Sequence, residues 1–298
     1  MRDVEYFAVI AEHGQLQLAA AALGLSQAAL SKSLRRLELA MNARLLKRTP
    51  KGVELTSVGS ALLARVSKLR LSMDDVTREI ADLSEGRAGH LRIGSAAGQA
   101  LELVPAACAR LLKEAPQVTV RINVTETTGM LAGLRSGELD VAVALLHGPR
   151  HEDMVEEVTH DETWVIYASP NHRLAKRKQL TLTDLSGERW VAPSASSLAV
   201  RMLSEEFGNK GLPAPNIAVE STNLPARHQL VASTDLLALG VRRHVATRLP
   251  IIELRVKDFV ATRRGGVIYR KDAYLSPAAR RFVEILKATA KEITKENR

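Results

Sequence analysis

Cysteine occurs once in the 298 residues, at Cys108, and aromatic side chains make up 3% of the chain. One thiol excludes an intramolecular disulfide and any cysteine-cluster metal site, and fits a reducing compartment. Its setting, the apolar run PAACARLL, reads as a buried structural thiol rather than a redox sensor. So few rings argue against a ligand pocket built on aromatic stacking. The longest uncharged run, Gly14 to Ser31, is broken by Gln15, Gln17, Ser26 and Gln27 and cannot span a membrane. The opening MRDVEYF brings acids where a secretion signal carries cations, so the expected location is the cytoplasm, with no membrane partner. Catalytic signatures are also missing. There is no HExxH; Gly148-Pro149 separates His147 from His151, so the two are not held one helical turn apart as metal ligands; GSAAG has the wrong spacing for a nucleophile elbow. Asp140, at the start of an apolar strand, reads as a structural turn residue. No enzyme, metal or other cofactor is expected.

A hydrophobic content of 46% with 25% charged residues describes a globular protein, and 298 residues exceed what one core usually organises. The net charge of +9 points to a polyanion. Its distribution is more specific. From Ala28 to Arg70 the cations are Lys32, Arg35, Arg36, Arg44, Lys47, Arg48, Lys51, Arg65, Lys68 and Arg70, against Glu38 and Glu54 alone. Nearly the whole excess therefore lies near the amino terminus.

Within that region, Leu16 to Leu37 reads LQLAAAALGLSQAALSKSLRRL. Ala20 sits where a bulky side chain would push two crossing helices apart, Gly24 ends the first helix at a position suited to positive φ, and Leu30 and Leu34 cover the junction. Ser26 is an N-cap for a second helix, about Gln27 to Leu37, whose other face shows Gln27, Ser31, Lys32, Arg35 and Arg36. These are donors for base edges and phosphates. Two core helices with a solvated basic face would share this spacing. The next residues favour DNA: Leu45-Leu46, then Lys47 and Arg48, a Pro50-Lys51-Gly52 turn and the extended Val53-Glu54-Leu55. A cationic turn between short strands is the wing of a winged helix-turn-helix, placed to touch phosphate beside the recognition helix.

The stretches VEYFAVIAEHGQLQLAAAALGLSQAALSKSLRRLE and RLLKRTPKGVELTSVG resemble the amino-terminal domain of the LysR-type transcriptional regulators in order, spacing and length. Ala28 stands where that family often has proline, and Leu46 where an aromatic is common; proline there only preorganises a helix start. Beyond the wing, Leu62, Val66, Leu69, Met73, Val76, Ile80 and Leu83 form a heptad seam, which favours a partner helix. The resemblance implies a linker helix that dimerises antiparallel, hence a roughly palindromic operator, with a homotetramer and RNA polymerase contact as further expectations.

After the hinge-like SEGRAGH the period changes. LRIGSA, VTVRINV, LDVAVAL, TWVIYAS, RWVAP, IAVES and GVIYRKD read as strands, and Ala100–Ala115, Met130–Ser136, Leu198–Gly208 and Leu224–Ala232 as helices. This is the α/β alternation of largely parallel sheets. A last helix is expected from Ser276 or Pro277 to about Ile293. The resemblance, carried here by IGSAAGQALELVP, ETTGMLAGLRSGELDVAVA and GVIYRKDAYLSPAARRFVEIL, implies a two-lobed effector domain like the type 2 periplasmic binding proteins. The expected division is a winged helix-turn-helix at 1–56, a dimerisation helix at 57–84, a hinge at 85–90 and an effector-binding domain at 91–298; lobe one takes about 91–160 and 266–298, and lobe two about 161–265.

A ligand in such a fold binds beyond the carboxyl ends of the strands, here between the lobes. Three loops qualify: Ser95 to Gln99, Glu126 to Gly129, and Pro193 to Ser197. Each by itself is a good helix cap. Together they make a polar, donor-rich pocket that suits an oxyanion or carboxylate, and by resemblance the effector contacts are Ser95, Gln99, Thr128, Ser194 and Ser196. Ala96, Ala97 and Gly98 supply no hydroxyl. The reading is a regulator of transcription that binds double-stranded operator DNA under control of a small-molecule effector. A solute-binding protein or an enzyme on the same ligand-binding fold, with a nonspecific DNA-binding arm, is the alternative.

Overall fold

The computed structural model describes residues 2–50, 52–85, 89–245, 249–257, 259 and 261–296, with the side chains of 81–85 and of 295 and 296 left aside. The chain divides into two compact units, Met1–Arg78 and Glu79–Arg298.

The first unit opens with helices α1 (Arg2–His13), α2 (Leu16–Ala22) and α3 (Gln27–Ala40), followed by strands β1 (Leu46–Thr49) and β2 (Gly52–Leu55) and helix α4 (Ser57–Glu85). The turn between α2 and α3 forms as its residues dictate. Gly24 adopts φ +64°, and its N–H and that of Leu25 return to the carbonyls of Ala21 and Ala20, closing the helix end with an αL residue. Ala19, Ala20, Ile10 and Leu30 then meet in one buried cluster, with Phe7, Leu37 and Leu45 in an adjoining one. The small alanines are what allow this close crossing. β1 and β2 pair antiparallel from Leu46↔Leu55 to Thr49↔Gly52. Gly52, at φ +139°, lies against the α1–α2 turn: a Cβ there would fall 2.2 Å from the Gly14 carbonyl oxygen, and the next N–H, of Val53, donates to that same oxygen at 2.8 Å. α4 runs 29 residues, about 44 Å of helix. Along its heptad seam Leu69, Met73, Val76 and Ile80 are 46–59% exposed.

The second unit begins with β3 (His90–Ser95), α5 (Leu103–Glu114), β4 (Thr119–Val124), α6 (Thr127–Ser136) and β5 (Val141–Leu146). β3 pairs in parallel with both β4 and β5. β5 is an unbroken apolar run because both its faces are covered: Val141 and Val143 join a core under α5 and the final helix α10 (Pro277–Glu296), while Ala142 and Ala144 meet Met130 and Leu134 of α6. Cys108 lies buried in the first of these cores. Strand β6 (Met154–Ala168) follows, then β7 (Arg189–Ala192), α7 (Leu198–Asn209), β8 (Asn216–Glu220), α8 (Leu224–Ser233), β9 (Ala238–Val241), the short α9 (Arg242–Val245), β10 (Ile252–Glu253) and β11 (Ala261–Arg270). A second pair of cores, holding Trp190, Phe207 and Leu237 on one side and Tyr167, Val191 and Val231 on the other, marks the second lobe.

The lobes share one seven-stranded sheet of order β10-β6-β11-β5-β3-β4, with β9 also on β6. β6 and β11 are the two strands that pass between them, antiparallel and paired with each other from Met154 to Trp164 of β6. His160 faces Gly265 and Asp161 faces Arg264, with a register shift between Gly265 and Gly266. The His160 ring lies 2.4 Å from where a Cβ on residue 265 would be, so any larger residue there would push His160 out of place. The sequence reading lacked β9, α9 and β10 and began α6 and β11 too late. TWVIYAS is only the end of a 15-residue strand, since Glu156, Glu157, Asp161 and Glu162 disguise its first half. The helix expected from Ala100 starts at Leu103, after a separate 3-10 turn at Gln99–Leu101.

Candidate functional site

Ser26 is the N-cap of α3, its hydroxyl accepting from the Ala29 N–H at 3.2 Å. From there Gln27, Lys32 and Arg35 are exposed and Ser31 is half-buried; their spacing puts all four on one side of the helix, away from buried Leu30 and Leu37. Arg36 is already engaged. Its Nε donates to Asp3 Oδ2 at 2.6 Å, its Nη2 to Oδ1, and the Ser33 hydroxyl donates to the same carboxylate at 2.6 Å. Arg36 therefore ties α3 to α1 and faces outward only with what remains of its guanidinium. Those bonds, that from Arg36 foremost, hold the Asp3 carboxyl down at about 2.

On the wing, Lys47 pairs with Glu54 at 2.7 Å. Arg48 is exposed. Lys51 lies outside the described residues. Glu38 has a role that sequence reasoning missed. It is buried near the end of α3; its Oε1 accepts from the N–H of Leu45 at 2.8 Å and of Leu46 at 3.4 Å, and its Oε2 from Arg44 at 3.1 Å. It caps the start of β1, fixing the wing to the exposed helix. One of two acids in a basic stretch gave no hint of this.

In the second unit the expected effector residues fall into two groups. Ser194 donates to Glu126 Oε1 at 2.8 Å and lies 3.3 Å from the Ser196 hydroxyl, so the lobe-two loop reaches the N-cap position of α6 in lobe one. The Ala195 N–H donates to Glu220 at 2.9 Å. Two carboxylates thus already sit on this donor loop. Thr128, in the first turn of α6, is exposed. The charge of Glu126 also acts on Arg227, near the start of α8, which lies beside Tyr167, near the end of β6. Arg227 Nη1 donates to the Ser221 carbonyl at 2.6 Å, and the Tyr167 ring meets His228 edge-on at 5.5 Å. Burial pushes the Tyr167 phenol up to about 12.

Gln99 belongs to the other group. Its Nε2 donates to Glu162 Oε1 at 2.6 Å; that oxygen also accepts from Arg243 Nη2 at 2.8 Å and lies 3.2 Å from His160 Nε2. Gln99, His160 and Glu162 are all buried. Burial raises the Glu162 carboxyl, but the His160 hydrogen bond, the Arg243 charge and Gln99 outweigh it and leave it below the ordinary value. His244, beside them, is driven down to about 4, chiefly by burial. This network joins the Ser95–Gln99 loop to β6 and to α9. Ser95 itself is fully buried, its hydroxyl donating to the Ala96 carbonyl at 3.1 Å. Sequence reasoning singled out Gln99 as an effector contact and passed over the residues it bonds, because acids and histidine inside a strand read as solvated.

Asp140 spends its carboxylate on the Arg92 backbone N–H at 2.8 Å and on the Arg92 guanidinium at 2.6 Å, holding β5 to β3. Among the described residues no three histidine, cysteine, aspartate or glutamate side chains gather as a metal site, and no helix is long and apolar enough to cross a membrane.

Comparison with known proteins covers both units. Residues 1–60 match the model of the bacterial regulatory helix-turn-helix proteins of the lysR family, and residues 84–291 that of the LysR substrate binding domain. The SDS degradation transcriptional activation protein of a Pseudomonas species is 30% identical over 289 residues, covering 94% of this chain and 92% of that one. The transcriptional regulator GbpR of Azospirillum brasilense is 27% identical over 298 residues, covering 97% and 86%. The fold is similar to the crystal structure of CbnR, a LysR family transcriptional regulator, with TM-score 0.64 at 22% identity over 97% of this chain and 98% of that one.

Proposed function

Because the chain belongs to the LysR family, and so is a DNA-binding transcriptional regulator with an effector-binding domain rather than an enzyme, we propose a division of labour among its exposed side chains. Gln27 and Ser31, with Lys32, read base edges in the major groove, Ser26 fixing the start of the helix that presents them; Arg35, Arg48, Lys51 and the outward part of Arg36 hold phosphate. The observation that carries this is the exposed face of α3 beside the Arg48 strand, both set in one small core by Glu38.

The effector sits between the lobes, against Ser95, Gln99, Thr128, Ser194 and Ser196, and carries a carboxylate or other oxyanion. The loop holding Ser194 supports this, since it already accepts two carboxylates of the protein itself. Two chains pair through the exposed α4 seam, and pairs assemble into a tetramer. In the cytoplasm, effector binding changes lobe closure, and with it the spacing of the DNA modules, the path of the DNA and the approach of RNA polymerase. This coupling is reciprocal and amounts to about 1–3 kcal/mol between the DNA-bound and free forms. The test is mobility shift of the full chain on its own upstream intergenic DNA against random DNA of equal length, across a salt series. A specific complex with a long footprint is expected; no preference over random DNA would overturn the reading.

A further inference from the structure

Arg227 is 6% exposed, yet among the described residues it forms no ion pair. Its one well-formed hydrogen bond uses Nη1, on the Ser221 carbonyl. A guanidinium has five N–H donors, and a buried cation without an anion is costly; burial accordingly draws Arg227 below the ordinary arginine range. Tyr167 lies beside it, 1% exposed, its hydroxyl in no well-formed hydrogen bond by geometry yet close enough to the Arg227 guanidinium for the two to act on each other. The carboxylate whose field reaches Arg227 from across the cleft is Glu126, and Ser194 holds that group instead. A merely structural arginine would spend its fork on a carboxylate or on several carbonyls. This one spends a single N–H on one carbonyl, and the carboxylate whose field reaches it is held by Ser194.

We propose that Arg227 is the anion seat of the effector cleft. A carboxylate, phosphate or sulfate group of the effector pairs with its guanidinium, the Tyr167 and Ser194 hydroxyls complete the donor set, and Glu126 is the internal anion that the effector competes against. The inference rests on the cleft being the effector site and names the charge that the site selects. It makes Arg227 and Glu126 act with opposite sign, which a purely architectural role for either would not do.

The experiment uses the full chain and measures saturable binding of inorganic phosphate, acetate, benzoate and succinate by calorimetry and thermal shift, at ionic strength fixed with sodium chloride. Benzamide serves as the neutral match of benzoate. At least one anion binds the native chain. Arg227→Gln weakens it tenfold or more, about what loss of a charge-assisted hydrogen bond brings; Arg227→Lys, which keeps the charge but not the fork, falls between. Glu126→Gln keeps the acceptor for Ser194 and tightens binding about threefold to tenfold by removing like-charge repulsion. Operator binding by all three variants shows that the fold is retained. The proposal is overturned by unchanged anion binding in Arg227→Gln, by losses of equal size in Arg227→Gln and Glu126→Gln, or by no saturable binding of any of the four anions. Benzamide binding as tightly as benzoate, and lost in Ser194→Ala, would also overturn the anion seat while leaving the effector site between the lobes in place.

Discussion

At Asp3 a single carboxylate fastens the amino-terminal helix to the exposed one, and its titration reports the bond. Its value of about 2 is set first by the hydrogen bond from Arg36 and then by that from Ser33. A depressed carboxylate stabilises fully above the ordinary aspartate value and loses that contribution only as pH falls toward its folded value. The α1–α3 link should therefore persist well into acid. Carboxyl carbon shifts measured by NMR should place Asp3 near 2 in the native chain and back at the ordinary value in Arg36→Ala; an ordinary titration in the native chain would refute the pairing. Gly52 is a second residue with a definite consequence. Its φ of +139° and the 2.2 Å approach to the Gly14 carbonyl oxygen leave no room for alanine. Gly52→Ala should lower stability by more than the ~1 kcal/mol typical of a point change and weaken operator binding by displacing the wing, as denaturant melts and mobility shift would show together.

Among the elements, the wing depends on Glu38. Replacing it with alanine leaves the buried Leu45 N–H unpaired, a loss of about 1–3 kcal/mol in chemical denaturation, whereas Arg44→Ala, removing an exposed partner, should change little. Equal effects would mean that the ion pair rather than the cap matters. The α4 seam makes a different demand. Leu69, Met73, Val76 and Ile80 stand in water in the single chain, and Met73→Lys should turn a dimer into a monomer by sedimentation velocity; an intact dimer would move the interface elsewhere. Elements whose signal is local were readable in the sequence. Gly24, Ser26 and the apolar run of β5 each encode their own geometry, and the turn, the cap and the doubly buried strand all form. Glu162, His160 and Arg243 carry no such local signal, because their meaning depends on Gln99, 61 to 144 residues away. Arg227 was illegible for the same reason: NLPARHQL announces a capped helix start, and only the fold sets it against Tyr167 and opposite Glu126.

For the molecule as a whole, the charge excess of the first unit predicts how DNA binding responds to salt. Arg48→Ala should lower affinity for all sequences alike and flatten the salt slope by about 0.9 for each phosphate no longer neutralised. Gln27→Ala should instead cost about 1–3 kcal/mol on operator DNA alone; equal losses on operator and random DNA would dissolve that division. In the second unit, β6 and β11 pass from lobe to lobe while hydrogen-bonded to each other on both sides of the crossing. A pair of loose connectors would let the lobes swivel freely, and closure would then cost only the entropy of a loop. A paired ribbon behaves as a leaf spring. Bending it means working against the backbone hydrogen bonds that join the two strands. A molecule lodged in the cleft therefore works against elasticity, and the travel it can impose on the lobes is bounded by the backbone ladder rather than by its own size.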